Sequence, residues 1–222
     1  PAMPVGKIGI NAGPSSGGVD AFHAVIKGKG GHGAHPDKTI DPFYMLAHVI
    51  IALNGIVSRR INPFEPAVVS IGAINGGFTD NVIPEEVNMI GTLRFTSEEV
   101  HQQIHTEIQR AFDIVKVLGG DYELKYDIGG PPMINDKYVS EVIEKTGKDL
   151  LGEGNVGEIE KTLGAEDFGE FMKHAPGAMY TLGTQKAGHE DYLLHHPKFD
   201  IDERALPIGT AMLAETAKRF LE

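Results

Sequence analysis

The sequence predicts a mixed α/β protein built around a split βαβ, ferredoxin-like domain. Three observations predict it. Apolar and polar residues alternate with a period of two over residues 20–27, 87–95 and 121–126, as in half-buried strands. Two intervening stretches carry apolar residues at helical spacing behind start signals at Asp41-Pro42 and Thr96-Ser97-Glu98-Glu99. With a further strand at 67–74, the order is strand, helix, strand, strand, helix, strand.

Each element has its own justification. In residues 20–27, Phe22, Ala24 and Ile26 share one face, and His23, Val25 and Lys27 the other. The first helix follows Asp41 with proline at its first position. It lines up Phe43, Leu46, Ala47, Ile50, Leu53 and Val57, and closes on Arg59-Arg60, cations that suit the negative end of the helix dipole. Asn75-Gly76-Gly77 turns the chain between two strands. The second helix aligns Val100, Ile104, Ile108, Ala111 and Val115 and stops at Gly119-Gly120. Tyr122, Leu124 and Tyr126 then alternate in the last strand. Gly129-Gly130-Pro131-Pro132 reads as a linker. Beyond it come a helix over 137–151, an acidic loop, a short helix after Ala165, a strand at 179–182, a histidine-rich loop and a closing helix. That last helix starts near Asp202-Glu203 and is expected to bury Leu206, Gly209, Leu213 and Phe220. Residues 4–10 read as one more strand. The expected domains are therefore 1–18 and 129–222, parts of one α/β domain, with 19–128 inserted as the ferredoxin-like domain.

Composition narrows the function. Lys and Arg number 20 against 31 Asp and Glu, a net charge of −11, which excludes a general nucleic-acid binder. No apolar run approaches the ~20 residues of a membrane span. Cysteine is absent, which excludes disulfides and thiolate ligands within the chain. A cytoplasmic setting is expected. The opening at Pro1, without an initiator Met, reads as a processed or excerpted chain.

Several residues could carry chemistry. His32 lies in Gly28-Lys29-Gly30-Gly31-His32-Gly33-Ala34-His35-Pro36, between strand and helix. Glycines there permit positive φ and close approach to a ligand. His32 is either a surface histidine in a turn or a donor to a developing oxyanion, and His35 is structural. Asn81, in Asn81-Val82-Ile83-Pro84, is an Asx-turn residue or a substrate contact. Arg94 sits on the polar face of a strand, in a cross-strand salt bridge or poised to clamp a carboxylate. Glu166 and Asp167 stand at a helix start, where acids favour the dipole, and Glu166 could line a site. His195 and His196 precede Pro197. At most one of two adjacent histidines ligates an ion comfortably, and imidazole is the commonest ligand of zinc-like metals. His101 and His105, four apart on a helix, have metal-binding spacing, but Gln102 replaces the acid of the zinc-protease motif. They read as a solvated helix face. His23, His48, His174 and His189 belong to no constellation.

Five motifs in this order, the His32 stretch, Asn81-Val82-Ile83-Pro84, Gly91-Thr92-Leu93-Arg94, Gly164-Ala165-Glu166-Asp167-Phe168 and Leu194-His195-His196-Pro197, resemble one family. It is the M20-type metal-dependent amidohydrolases and peptidases, in the branch of aminoacylases, hippurate hydrolases and IAA-amino acid hydrolases. The resemblance implies a ferredoxin-like lid and dimerisation domain inserted in a partial zinc-peptidase-like α/β catalytic domain. It implies hydrolysis of the amide bond of N-acyl amino acids or small peptide-like conjugates, with two divalent ions, zinc or manganese. By the same resemblance His32 reaches across a homodimer to polarise the scissile carbonyl. Asn81 and Arg94 hold the substrate's carboxylate or carbonyl, Glu166 lies at the rim, and His195 is the last metal ligand. The family's other ligands and its catalytic Glu belong to an N-terminal half. This chain therefore resembles a C-terminal portion, expected to be inactive by itself. The alternatives are a non-catalytic dimerisation and substrate-lid module and a ferredoxin-like ligand-binding domain unrelated to hydrolysis.

Overall fold

The computed structural model describes residues 3–186, 188, 192 and 194–222; His189 lies outside them. In chain order the elements begin with strands β1 (Ile8–Gly9), β2 (Gly13–Ser16), β3 (Gly18–Lys27) and β4 (Gly31–His32). Helix α1 (Pro42–Arg60), strands β5 (Val68–Gly76), β6 (Val82–Ile83) and β7 (Glu86–Phe95), helix α2 (Glu98–Val117) and strand β8 (Asp121–Ile128) follow. The chain closes with β9 (Met133–Asn135), α3 (Lys137–Leu151), β10 (Val156–Gly157), α4 (Phe168–Met172), β11 (Thr181–Leu182) and α5 (Ala205–Leu221). Two compact units result. One comprises Pro1–Ser15, Met133–Thr162 and Phe168–Glu222, and the other Ser16–Pro132 and Leu163–Asp167.

The second unit holds an antiparallel sheet in the order β5-β7-β3-β8, the ferredoxin-like arrangement that the element order predicts. Alternation decides which side faces the core. Phe22, Ala24, Ile26, Val87, Met89, Leu93 and Phe95 point to one face, where α1 and α2 cover them. Phe22 meets Phe112 of α2 edge to face, with ring centroids 6.3 Å apart. The stripe on α2 is as expected, with Phe112 added to it.

The stripe on α1 is rotated by one residue from expectation. Met45, Leu46, Val49, Leu53 and Ile56 are buried, while Phe43 is 42% exposed. Two apolar lines run side by side on this helix, and the sheet takes one of them. Phe43 lies instead against Gly77, where a Cβ would sit 3.1 Å from its Cζ. By length and composition α1 could span a membrane; its buried line is a core layer of the sheet. Its N-cap is Asp41, which accepts from the Phe43 N–H at 2.8 Å. Ser97 caps α2 by accepting from the Val100 N–H at 3.3 Å. Val100 occupies the third helical position, so the reciprocal acid bond of a full capping box does not form.

The first unit is thinner. Its sheet, β10-β1-β11, has strands of two residues each. The strands expected over 4–10 and 179–182 shrink to Ile8–Gly9 and Thr181–Leu182, and β10 forms inside the expected acidic loop. Ile8, Ile10, Ile143 and Met212 make the core. Helix α5 buries Ala205 and Met212 and exposes Leu206, Leu213 and Phe220, against expectation. It is apolar around much of its circumference, so periodicity does not choose between neighbouring lines. The small residues choose: a Cβ on Gly209 would stand 3.0 Å from Leu182 Cδ2.

Asn135 holds three segments of this unit together. Its amide donates to the carbonyls of Asn11 and Met179, each at 2.9 Å, and its Oδ1 accepts from the Met179 N–H at 2.9 Å. At 2% exposure, water cannot replace those bonds. Asn135→Leu is expected to destabilise this unit by about 2–4 kcal/mol, because it strands buried backbone groups. Urea unfolding followed by circular dichroism checks this; an unchanged midpoint would exclude a structural role for the amide.

Candidate functional site

His32 and Asn81 come together on a two-stranded ribbon. Strand β4 pairs with β6 in the register His32↔Val82, and the Gly33 N–H donates to the Asn81 carbonyl at 2.8 Å. The glycines of the loop serve close approach rather than positive φ, which none of Gly28, Gly30, Gly31 and Gly33 adopts. A Cβ on Gly30 would lie 2.8 Å from the Ile83 carbonyl oxygen, and one on Gly33 would lie 3.2 Å from the Asn81 carbonyl.

The His32 ring is exposed, and its Nδ1 accepts from the Ala34 N–H at 3.0 Å. In the neutral ring that bond places the proton on Nε2. His32 therefore presents an N–H donor outward. Asn81 is exposed too, and its Oδ1 and Asp80 Oδ1 both lie 3.2 Å from the Thr79 hydroxyl, whose single proton they share as acceptors.

Arg94 lies at the far end of β7, on the face away from the helices. Its Nη1 donates to Thr92 Oγ1 and, at 3.0 Å, to the Leu93 carbonyl. Among the described residues Arg60, Arg110, Arg204 and Arg219 hold carboxylates, whereas Arg59, at the end of α1, and Arg94 hold none. The cross-strand ion pair weighed for it is not made. A guanidinium held by neutral acceptors keeps donors and charge for an anion. Exposed Glu166 belongs to the same end of the sheet. The Gly17 N–H donates to Gly164 O at 2.9 Å, the Val19 N–H donates to Gly130 O at 2.9 Å, and Val19 is the register partner of Arg94.

The four residues thus form two pairs. Strand β7 alone runs about 27 Å from Glu86, beside the His32–Asn81 ribbon, to Arg94. Within one protomer, Asn81 and Arg94 therefore stand too far apart to hold the same small carboxylate.

His195, in the other unit, is exposed, with φ at 71°. It is the one non-glycine residue in the left-handed region among those described. That conformation is uncommon for residues with a Cβ, and such strain concentrates at functional sites. Its neighbour His196 is occupied elsewhere, stacked on Tyr192 at 4.3 Å and accepting at Nδ1 from the Lys198 N–H.

One cluster contradicts the sequence reading. His101 and His105 are not a solvated face: their Nε2 atoms approach Asp20 Oδ2 at 2.6 and 2.7 Å. The Asp20 side chain is 1% exposed. Burial pushes its carboxyl up. Hydrogen bonds from His101, the Gly129 N–H and His105 outweigh this and hold it below its ordinary range. The signal was available: Asp20 is in phase with Phe22, Ala24 and Ile26, and a carboxylate on the buried face of a strand needs partners.

With this geometry in view, comparison with known proteins is decisive. Residues 15–117 match the family model described as the peptidase dimerisation domain, M20_dimer. The N-acetyl-L-cysteine deacetylase of Bacillus subtilis is 36% identical over all of this chain and 52% of its own length. An IAA-amino acid hydrolase of Arabidopsis thaliana, ILR1-like 2, is 34% identical over 99% of this chain and 51% of its own. The solved YXEP protein of Bacillus subtilis, described as a dinuclear metal binding peptidase from the M20 family, superposes with a TM-score of 0.77. It is 32% identical, over 98% of this chain and 54% of that one. The chain belongs to the M20 peptidase family. It spans about half the length of the curated relatives it matches. In this M20 chain the dimerisation-domain match falls on the sheet unit, which carries both residue pairs.

Proposed function

We propose that this chain provides the lid, the dimer surface and part of the active-site wall of a metal-dependent amidohydrolase. Its substrates are N-acyl amino acids or small peptide-like conjugates, cleaved at the amide bond. The observation that carries this reading is the separation of the two pairs, an outward N–H donor beside an amide at one end and an unpaired guanidinium at the other. A small substrate with a carbonyl and a carboxylate needs both kinds of group. It can reach them only if they come from different protomers, hence a homodimer.

Each residue then has a task. His32 Nε2–H donates to the carbonyl oxygen as negative charge develops there. Asn81, on the same ribbon, donates to the same end of the substrate. Arg94 of the other protomer takes the carboxylate in a bidentate clamp, and Glu166 borders it. His195 would hold one of two divalent ions, zinc or manganese, and when bound these supply an activated water. Among the described residues no further carboxylate or imidazole groups with His195 as a metal cluster. One ligand does not make a metal centre, so the 222-residue polypeptide by itself is expected to show no hydrolysis. A cytoplasmic setting suits a cysteine-free chain and belongs to this reading.

Arg94→Ala tests it in an active enzyme containing this chain. Binding of an N-acetyl amino acid should weaken by about 10–100-fold, the size of a lost charge-assisted bond. The same amide without its carboxylate should bind as before. Equal losses for both ligands, or no loss for either, would refute the carboxylate clamp.

A further inference from the structure

The cluster beneath the N-terminal half of α2 plays no part in the proposed reaction and uses none of its residues. Asp20 extends from the central strand β3, and His101 and His105 descend from consecutive turns of α2. Their three facing atoms lie within 4.8 Å of one another. We infer that Asp20, His101 and His105 form a binding site for a divalent cation of the zinc class inside the sheet unit.

Four features support it. The first is the ligand set. Two imidazoles and one carboxylate, with no thiolate, suit zinc, cobalt or nickel better than calcium or magnesium, which take oxygen alone. Histidines four apart on one helix face are a recurrent way to present two nitrogens to one ion. The second is preorganisation. The His101 ring stacks on Phe95 with centroids 4.0 Å apart, and the His105 ring stacks on Tyr126 at 4.0 Å. Both are aimed before any ion arrives.

The third is the outer shell. His101 turns Nε2 to Asp20 and Nδ1 to Glu98 Oε2, 3.4 Å away. Metal-bound histidines commonly donate their second N–H to a carboxylate in this way. The Gly129 N–H likewise fixes Asp20 by donating to Oδ1 at 3.0 Å, which leaves Oδ2 for the site. The fourth is charge. A divalent ion balances the carboxylates of Asp20 and Glu98 with both imidazoles neutral, the form in which they ligate.

An ion requires the cluster to open slightly. Tetrahedral ligands at 2.0–2.1 Å from zinc lie about 3.3 Å apart, so each N···O separation must open by about 0.6 Å. The histidine side chains are 16% and 23% exposed, so an ion, and a water as fourth ligand, would enter from that edge. The rival is a purely structural imidazole–carboxylate triad, with the same contacts and no affinity for metal.

The test uses the 222-residue chain after chelator treatment, with His195→Ala as background to remove the other candidate ligand. Titration with Co2+ alone should give saturable visible absorption at one equivalent, displaced by Zn2+. Zinc at a hundred times its Kd should raise Tm on the order of 10 °C. His105→Gln, folded by circular dichroism, should weaken binding at least tenfold. Absence of saturable Co2+ absorption overturns the inference, as does binding that His105→Gln leaves unchanged. Should that variant not fold, zinc K-edge fine structure on the background chain decides. Two imidazoles at about 2.0–2.1 Å support the site, and fewer than two overturn it. None of these readouts involves hydrolysis, so the site and the proposed reaction fail separately.

Discussion

Replacing His32 by Ala is expected to lower kcat by about 10²–10³-fold in an active enzyme containing this chain, with KM changed far less. The split follows from when the bond matters. The Nε2–H fixed by the Ala34 N–H at 3.0 Å meets a neutral carbonyl in the ground state and a developing oxyanion in the transition state. Arg94→Ala acts on the carboxylate, which is charged throughout, so its main effect falls on KM. The two variants should also complement each other. In a mixed dimer of His32→Ala with Arg94→Ala, one site receives both intact residues and the other neither. Assayed at substrate well below the wild-type KM, where both single variants are nearly inactive, random pairing of equal amounts should therefore restore about a quarter of wild-type kcat/KM. Mixtures no more active than the separate variants would mean that His32 and Arg94 serve one site from one protomer, and the shared-site reading would fail.

Much of the sheet unit was legible because its signals are local. Alternation set the strands, Asp41-Pro42 and Ser97 set the helix starts, and their order left few topologies. Burial was less legible wherever a helix carried two apolar lines. On α1 and α5, one-residue rotations depended on which neighbour offered a groove, and periodicity does not hold that information. His32, Asn81, Arg94, Glu166 and His195 are candidates that the motifs alone propose; which of them lie near one another was not legible. It depends on the β4–β6 register and on the length of β7, which bring His32 to Asn81 and keep both from Arg94. The Asp20 cluster was missed for a different reason. His101 and His105 were judged by their own helix, and the residue that draws them inward is 81 positions from His101 in sequence. A carboxylate in phase with Phe22 was the available clue, and it had to be weighed together with a distant helix.

Gly28→Ala is expected to destabilise the sheet unit by about 1–3 kcal/mol, as overpacking does, and to disturb His32 although Gly28 touches no substrate. A Cβ there would lie 2.0 Å from the Ile40 carbonyl oxygen and 3.1 Å from Pro42 Cδ. Neither neighbour can yield cheaply. Ile40 exchanges backbone hydrogen bonds with Lys29 at 2.8 and 3.0 Å, and Pro42 is buried at the start of α1, whose next turn carries Met45 and Leu46 into the core. The methyl must therefore move the loop that carries the His32–Asn81 ribbon. A displacement of about 1 Å is enough to cost ~10²-fold in turnover. Gly55→Ala supplies the contrast. Gly55 lies within α1 with nothing inside 4 Å of the added Cβ and no positive φ, so the same substitution should stabilise by about 0.5–1 kcal/mol through helix propensity. Urea midpoints of the two variants should move in opposite directions. A Gly28→Ala protein as stable as the parent, with the kinetics of the parent, would show that close packing at Ile40 does not position His32.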